Sequence, residues 1–316
     1  MRPVLMVAGD LDELLELRAF IDLVGASDAK ALIPENLLND GRLSTLGLSR
    51  VYSIEALDEA PAEALSTTVA ELVRRDGPGI VVAPSKKIFR EVFARAAQNL
   101  SAPCVTDCVG ISLVDDRLVV DRPFLGGGYI ERLAVRRLPV LLTVQMQGRR
   151  PSARKEEGFE AVRLGRLSVE EGTLRRVSVE RSARGGSELG KARVVVSVGR
   201  GFKRREDLKL AEELAQLLEA ELACSRPIAS DLGWMPEEKH VGLSGKWISP
   251  QLYIALGISG QVQHMVGVRN SRVIVAVNND ASAPIHKEAD YSIPLDLYKF
   301  VPALIQVLRE RRSRAG

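Results

Sequence analysis

The sequence predicts an α/β protein of two domains, each a mainly parallel sheet flanked by helices, with the C-terminal domain doubly wound. Three observations carry this reading. Short β-branched runs alternate with amphipathic helical segments, the pattern of strand–helix–strand units. A charged stretch rich in glycine and serine, "ERSARGGSELGK", interrupts that alternation between Glu180 and Lys191. Beyond it the alternation starts afresh, and each strand there ends in a glycine or a short polar residue.

The elements follow in order. Pro3–Ala8 is an apolar strand, and Gly79–Pro84 is a second, β-branched one. Ser85 stands where an N-cap belongs, ahead of a helix from Lys86 to Leu100. Cys104–Val109 reads as a strand, Leu113–Val120 as a hairpin turning at Asp115-Asp116, and Val140–Gln145 as another strand. From Gly148 the texture becomes charged and turn-rich ("GRRPSARKEEG"). The domain boundary falls in the later glycine-serine stretch, giving domains 1–188 and 189–316; the rival reading is one long surface loop inside a single domain.

In the second half, strand Ala192–Val198 runs into Gly199-Arg200-Gly201. A helix from Glu206 to Leu222 gathers Leu208, Ala211, Leu214, Ala215 and Leu218 on one face. Then come a short strand Ala223–Ser225, a loop rich in Gly and Pro, strand Leu252–Leu256 with its helix, and strand Arg272–Val277. A short helix Pro284–Glu288, strand Tyr291–Ile293 and a terminal helix Leu295–Glu310 complete the chain, with "RERRSRAG" as a solvated, frayed end.

Composition narrows the function. The 316 residues are 46% hydrophobic and 27% charged, enough for two packed cores. Lys+Arg of 44 against Asp+Glu of 41 leaves a net charge of +3, too balanced for a nucleic-acid or membrane-surface protein. Aromatic residues are only 4%, too few for base-stacking platforms. No apolar run approaches the roughly 18–20 residues of a membrane span. The N-terminus passes from Pro3-Val4 to acidic Asp10 and Asp12, unlike a signal peptide, which predicts a cytoplasmic location. Cys104 and Cys108 are spaced CxxxC and the cysteine count is odd, so the thiols are expected to be reduced and no metal site is expected.

Ligands of doubly wound sheets bind outside the carboxyl ends of the strands. Those positions hold Arg200 between two glycines, Ser225-Arg226 with Asp231 beyond, the loop "VGLSGK" (241–246), Gly257-Ile258-Ser259-Gly260, Asn278-Asn279-Asp280, and Asp296. Each alone has an ordinary explanation. The glycines can be turns, Asn278, Asp280 and Asp296 can cap helices, His264 can be a packed core histidine, and Arg226 a surface arginine. Together they describe a nucleotide site. Gly257 and Gly260 allow close approach to a phosphate, Ser259 adds a hydroxyl, Arg200 and Arg226 offset charge, and Asp296 or Asn278 can bond ribose. The GxGxxG fingerprint is absent, which disfavours a standard Rossmann NAD site. The residues alone lead to a dinucleotide on a non-Rossmann pyrophosphate loop.

Five segments, "GRGF", "SRPIASDLGW", "VGLSGK", "PQLYIALGISGQVQH" and "VIVAVNNDASAPIHKEADYSIPLDLYKFVPAL", make Val194–Leu308 resemble the electron transfer flavoprotein alpha subunit in order and spacing. "RPFLGGGYIERL", Arg122 to Leu133, is similar to that family's first domain. The resemblance implies FAD in the C-terminal domain, with the flavin facing a beta subunit in a heterodimer. It implies a carrier rather than an enzyme, shuttling electrons from dehydrogenases to a quinone oxidoreductase or similar acceptor, with electron bifurcation left open.

By motif, the resemblance implies Ser225 and Arg226 at the isoalloxazine, and Ser244 beside Gly245 at flavin N5. It implies Gly257, Ile258, Ser259 and Gly260 as the pyrophosphate loop, with Gln263 and His264 on the flavin O2 side. Asn278, Asp296 and Leu297 would serve the adenosine end, and Arg200 belongs to the Gly-Arg-Gly motif. A hydrogen-bonding group at O2 would stabilise the negative charge of a reduced flavin. One departure stands out: Leu243 replaces the glutamine usual in Gly-Gln-Thr/Ser-Gly. Two rival functions are a non-redox AMP- or NAD-binding module and a flavin dehydrogenase acting alone; the lack of an evident acid–base pair counts against the second.

Overall fold

The computed structural model describes residues 3–26, 28–152, 154, 158–167, 188–190 and 192–315. The chain divides into two compact units, Met1–Phe124 with Tyr129–Glu180, and Leu125–Gly128 with Arg181–Gly316. Most of the glycine-serine stretch on which the sequence boundary rests lies outside the described residues.

The first unit contains β1 (Val4–Val7), α1 (Leu11–Asp22), β2 (Ala29–Pro34), β3 (Leu48–Glu55), α2 (Ala62–Asp76), β4 (Ile80–Pro84) and α3 (Lys87–Leu100). It continues with β5 (Cys104–Cys108), β6 (Gly110–Val114), β7 (Arg117–Phe124), β8 (Tyr129–Ala134), β9 (Val140–Val144) and β10 (Glu160–Arg166). Seven strands form a parallel sheet in the order β10-β3-β2-β1-β4-β9-β5, and β6-β7-β8 form a separate antiparallel sheet. Strands such as Val4–Val7 and Val140–Val144 are buried along their whole length, as a sheet covered on both faces requires. Alternate residues feed the two faces: Val4 and Met6 pack with Leu14 and Phe20 of α1, while Leu5 and Val7 pack with Val69 of α2 and Phe93 of α3.

Two local expectations meet the structure here. The Asp115-Asp116 hairpin forms, with both aspartates at positive φ (49° and 59°), the backbone that a two-residue turn between twisted strands needs. Ser85 does not cap α3. Lys86 is the N-cap and makes no side-chain capping bond, while the Ser85 hydroxyl is drawn instead to Asp107 and, at 3.1 Å, to Thr143. Much of this unit, including β2, β3, α1 and α2, has no counterpart in the sequence reading.

The second unit contains β11 (Val194–Val198), α4 (Lys209–Leu218), β12 (Glu221–Cys224), β13 (Leu252–Leu256), α5 (Val262–Met265), β14 (Ile274–Val277), α6 (Ile285–Glu288), β15 (Tyr291–Ile293) and α7 (Leu297–Ala315). All five strands are parallel, in the order β12-β11-β13-β14-β15. This is the doubly wound order in which the chain reverses direction beside its first strand. Val196, Ile254 and Val277 face α4 and α7; Val195, Tyr253 and Ala276 face the side of Met265 and Ile285.

The helix expected over Glu206–Leu222 is shorter. A 3₁₀ turn, Arg205–Leu208, leads into α4, which stops at Glu219 in the left-handed region (φ 52°). Leu222 instead pairs with Val196 in β12, because strand pairing satisfies backbone groups that a longer helix would leave on the sheet edge. The tail is less frayed than expected. α7 continues to Ala315, with Arg309 on Glu213 at 2.7 Å and Arg312 on Glu219 at 3.2 Å.

Candidate functional site

Register builds the site. Val198 pairs with Cys224 on one side and Leu256 on the other, and Leu256 pairs with Val277. The next residues of these strands, Ser225, Gly199, Gly257 and Asn278, therefore stand in one row along the carboxyl edge of the sheet. The reversal point of the strand order lies in that row, where this architecture places its ligands.

The glycines serve the protein itself before any ligand. A Cβ on Gly257 (φ 64°) would lie 2.7 Å from the Gly201 Cα, and one on Gly201 would lie 2.6 Å from the Gly257 Cα. The Gly201 N–H donates to the Gly257 carbonyl at 2.9 Å, so two strand exits are laced together at contact distance. Gly260 (φ 78°) meets the start of α6, where its Cβ would lie 2.5 Å from the Ile285 backbone. On the side where a Cβ would stand, each of these glycines meets protein rather than open space. The Leu297 side chain packs on the same glycine pair and Ile258 packs into the core, so both can offer a ligand only their backbone.

What the loop leaves open is its amides. Among the described residues, no hydrogen bond engages the N–H of Ile258, Ser259, Gly260 or Gln261. Ile258 and Gly260 are buried residues, and a buried amide without a partner is rare. Consecutive free N–H groups in a glycine-bearing turn form an anion-binding concavity. α5 contributes less than expected, since it is one turn long and begins at Val262, beyond the glycines. The loop is held from behind by Asn278, whose Nδ2 donates to the Ile258 carbonyl at 2.8 Å and whose Oδ1 accepts from the Asp280 N–H at 2.9 Å. Asn278 thus braces the loop. Asp296 caps α7, accepting from the Tyr298 N–H at 2.9 Å through Oδ1.

Around this loop stand Arg200, Arg226, Ser244, Ser259 and Gln263, all exposed, and buried Ser225. None of the six makes a side-chain hydrogen bond among the described residues. Arg226 opens a π-helical turn, Pro227–Asp231, closed by the Leu232 N–H on the Pro227 carbonyl at 2.9 Å; such turns recur at functional sites. Ser244 rides on a tight loop tied to α5 by the Leu243 N–H on the Gln263 carbonyl at 2.6 Å. Leu243 turns an exposed apolar side chain outward. Gly245 is obligatory there, since a Cβ would collide with the His240 carbonyl.

His264 is 8% exposed, and its Nε2 lies 2.7 Å from the hydroxyl of fully buried Tyr253. Nδ1 is buried and has no hydrogen-bond partner of good geometry. Burial first, then the neighbouring His240, pushes its pKa down to about 4, with the Val241 backbone opposing the fall. The imidazole is therefore neutral near pH 7. Burial also lifts the Cys224 thiol to about 12, which removes it as a nucleophile. All three cysteines are free.

The same edge of the first unit is closed by its own side chains. At the reversal point between β1 and β4, the Gly9 N–H donates to Glu13 Oε2 at 2.8 Å, and Lys86 pairs with the other carboxylate oxygen. Ser85 is held by Asp107, Thr143 and Arg90. Open amides and unbonded polar side chains gather on the second unit.

Residues 188–269 match the family model described as the electron transfer flavoprotein FAD-binding domain, and residues 24–180 match the electron transfer flavoprotein domain. The chain is 36% identical over 272 residues to the proteins named FixB of Escherichia coli O1:K1, Escherichia coli O157:H7 and Shigella dysenteriae serotype 1, covering 83% of this chain and 85% of each relative. The chain belongs to the electron transfer flavoprotein alpha family.

FAD is accordingly the cofactor, and the second unit of this flavoprotein fits it. Four free loop amides suit a pyrophosphate, and the six unbonded polar side chains surround that loop. Two residues that the structure brings beside the sequence-predicted ones lay outside the sequence reading. Tyr253 is hidden in a strand of apolar neighbours, and His240 stands one residue ahead of "VGLSGK", outside the motif. The chain's three histidines offered the only signal for His240, since imidazoles are scarce here.

Proposed function

We propose that this electron transfer flavoprotein acts as a carrier rather than an enzyme, in a heterodimer with a beta subunit. In this reading it accepts electrons from dehydrogenases and delivers them to a quinone oxidoreductase or similar acceptor. The observation that carries it is the run of free amides at Ile258–Gln261, open on a site whose other polar groups bind rather than react. Among the described residues no three His, Cys, Asp or Glu side chains gather as a metal centre. No described helix is long and apolar enough to cross a membrane.

When bound, FAD supplies reversible electron uptake, and the chain's residues hold and tune it. The amides of Ile258, Ser259 and Gly260 and the Ser259 hydroxyl would hold the pyrophosphate. Arg226 and Ser225 would stand at the ring with Ser244 and Gly245, and Gln263 and His264 on its O2 side. Asp296, Asn278 and Leu297 would lie at the adenosine end, Asn278 by bracing the loop, and Arg200 beside the phosphates. The first domain, 1–188, would contact the partner subunit. The antiparallel sheet supports this, since it exposes Leu113, Val114, Phe124, Tyr129 (67%) and Ile130 (60%), and such apolar groups mark protein–protein surfaces.

The test is co-expression with an electron transfer flavoprotein beta subunit, followed by anaerobic reduction. A yellow complex that takes electrons from a dehydrogenase and passes them to an acceptor, with no substrate turned over by the complex itself, is the expected result. Substrate oxidation by the complex in the absence of any dehydrogenase would point to the enzyme reading. A colourless complex that binds AMP or NAD would point to the non-redox module.

A further inference from the structure

His240 is a buried imidazole (5% exposed) at the centre of the site, in none of the motifs that identify it. It closes the 3₁₀ turn Glu237–Lys239 and bridges to Cys224 at the end of β12. Its carbonyl accepts from the Lys246 N–H at 2.8 Å, which shapes the Gly242–Gly245 loop that carries Ser244. The ring lies under that loop. A Cβ on Gly245 would be 2.9 Å from its Cγ, and one on Gly242 would be 3.5 Å from its Nε2. Glycine at 245 is what lets the loop close over the imidazole, while Gly242 (φ 143°) is required by the Gln263 carbonyl, 2.8 Å from where its Cβ would lie.

The groups that face it come from several elements. Its own turn supplies the Glu237 carboxylate, 3.9 Å from Nδ1. The β12 exit supplies Cys224 and Arg226, and α5 supplies His264. The loop reaches its backbone through the Lys246 N–H, and the Lys246 side chain lies near Lys239, Glu238 and Glu221. Burial, opposed by Glu237 and aided by Arg226, depresses proton affinity at His240. His264 is depressed as well, in part by His240 itself.

We propose that His240 is part of the flavin site and takes up the proton that compensates flavin reduction. When bound, FAD would supply the electron uptake. Beside any proton the cofactor itself takes, one proton would leave a hydronium ion or buffer acid of the solvent, breaking its O–H bond and forming an N–H bond on a ring nitrogen of His240. The physical cause is the new negative charge, which raises the proton affinity of a neutral imidazole enclosed beside it. Because His240 also supports the loop under Ser244, it is a positioning residue as well as a proton acceptor. The inference rests on the carrier reading of the site.

The experiment uses the FAD-loaded complex with the beta subunit, with histidine ¹³C-labelled in this chain alone. The chain has three histidines, so three imidazole signals are followed by NMR in the oxidised and the fully reduced states across about pH 5 to 8. His286→Gln and His264→Gln each remove one signal, which leaves His240 assigned. The expected result is a rise of about tenfold or more in His240 proton affinity on reduction. His240→Gln is expected to take up about one proton fewer on full reduction than wild type, read as a pH slope of the potential that is shallower by about 30 mV per pH unit for two electrons. An unchanged His240 midpoint, or equal slopes in wild type and His240→Gln, overturns the proposal. The wild-type titration decides it even if the variant misfolds. A complex that holds no FAD overturns the carrier reading and this inference with it.

Discussion

Among the described residues Arg226 makes no side-chain hydrogen bond, and it stands exposed beyond the carboxyl end of β12, so its charge is available to a ligand. A cation about 4 Å from a unit charge, at an effective dielectric of about 20, contributes roughly 4 kcal/mol. At about 1.4 kcal/mol per 59 mV this sets a ceiling of roughly 170 mV, which solvent exposure lowers. Arg226→Ala is expected to lower the first reduction potential of the bound flavin by about 50–170 mV, because the electron loses a compensating cation. Arg226→Lys should restore part of it, since the charge returns without the planar fork. Potentiometric titration measures both; a shift under about 20 mV in the alanine variant would return Arg226 to an ordinary surface role. His264 gives a pH prediction. Its folded pKa, near 4, lies below the ordinary 6.5, so the unfolded chain binds the extra proton between those values. Stability is therefore unaffected above about pH 6.5, falls as pH drops below it, and has lost about 3 kcal/mol near pH 4. Denaturation midpoints of wild type and His264→Asn across that range should converge at the acid end.

At the scale of the element, the loop between β13 and α5 separates two roles that the sequence presents as one. Gly260→Ala should destabilise the FAD-free chain by about 1–3 kcal/mol, because a Cβ at φ 78° would meet the Ile285 backbone whether or not FAD is bound. A loss of FAD in that variant would say nothing about phosphate contact. Ser259→Ala is the cleaner probe. Its exposed hydroxyl has no partner among the described residues, so stability should be unchanged while FAD affinity falls about tenfold to a hundredfold, the weight of one hydrogen bond to a charged group. Urea midpoints and FAD titrations distinguish the pair; tight FAD binding by the serine variant would remove the hydroxyl from the site. The glycine pattern was legible in sequence and its reason was not. Periodicity shows that a strand exits into a tight turn, but only the register of β11 against β13 shows Gly201 and Gly257 touching.

At the scale of the molecule, each unit has its own parallel sheet, and the carboxyl edges of the two sheets differ. One is closed by Glu13 with Lys86 and by Ser85 with Asp107; the other presents free amides. Glu13, buried at the closed edge, has its pKa raised, with burial outweighing the effect of Lys86. Expressed alone, this flavoprotein chain is expected to hold FAD poorly and to aggregate, since Tyr129, Ile130 and Phe124 remain uncovered. Co-expression with a beta subunit should raise FAD content and solubility together. Size-exclusion chromatography with absorbance at flavin wavelengths reads both, and a soluble, fully flavinated monomer would contradict the partner reading.

Alternation of β-branched runs with amphipathic segments was sufficient to determine a parallel α/β architecture, because strands covered on both faces must be apolar throughout. Local chemistry also determined the Asp115-Asp116 turn and the row of small polar residues at the strand ends of the second half. Tertiary structure alone decided where α4 yields to β12, since pairing with Val196 outweighs a helical period that Leu222 also fits. It decided that Asn278 is a brace, that Ile258 and Leu297 turn their side chains into the core, and that His264 meets Tyr253. It brought His240 under the Gly242–Gly245 loop. These are contacts between residues distant in sequence. A chain records which residue types are present at each strand end, but the parallel register determines which of them touch and which atoms stay free for FAD.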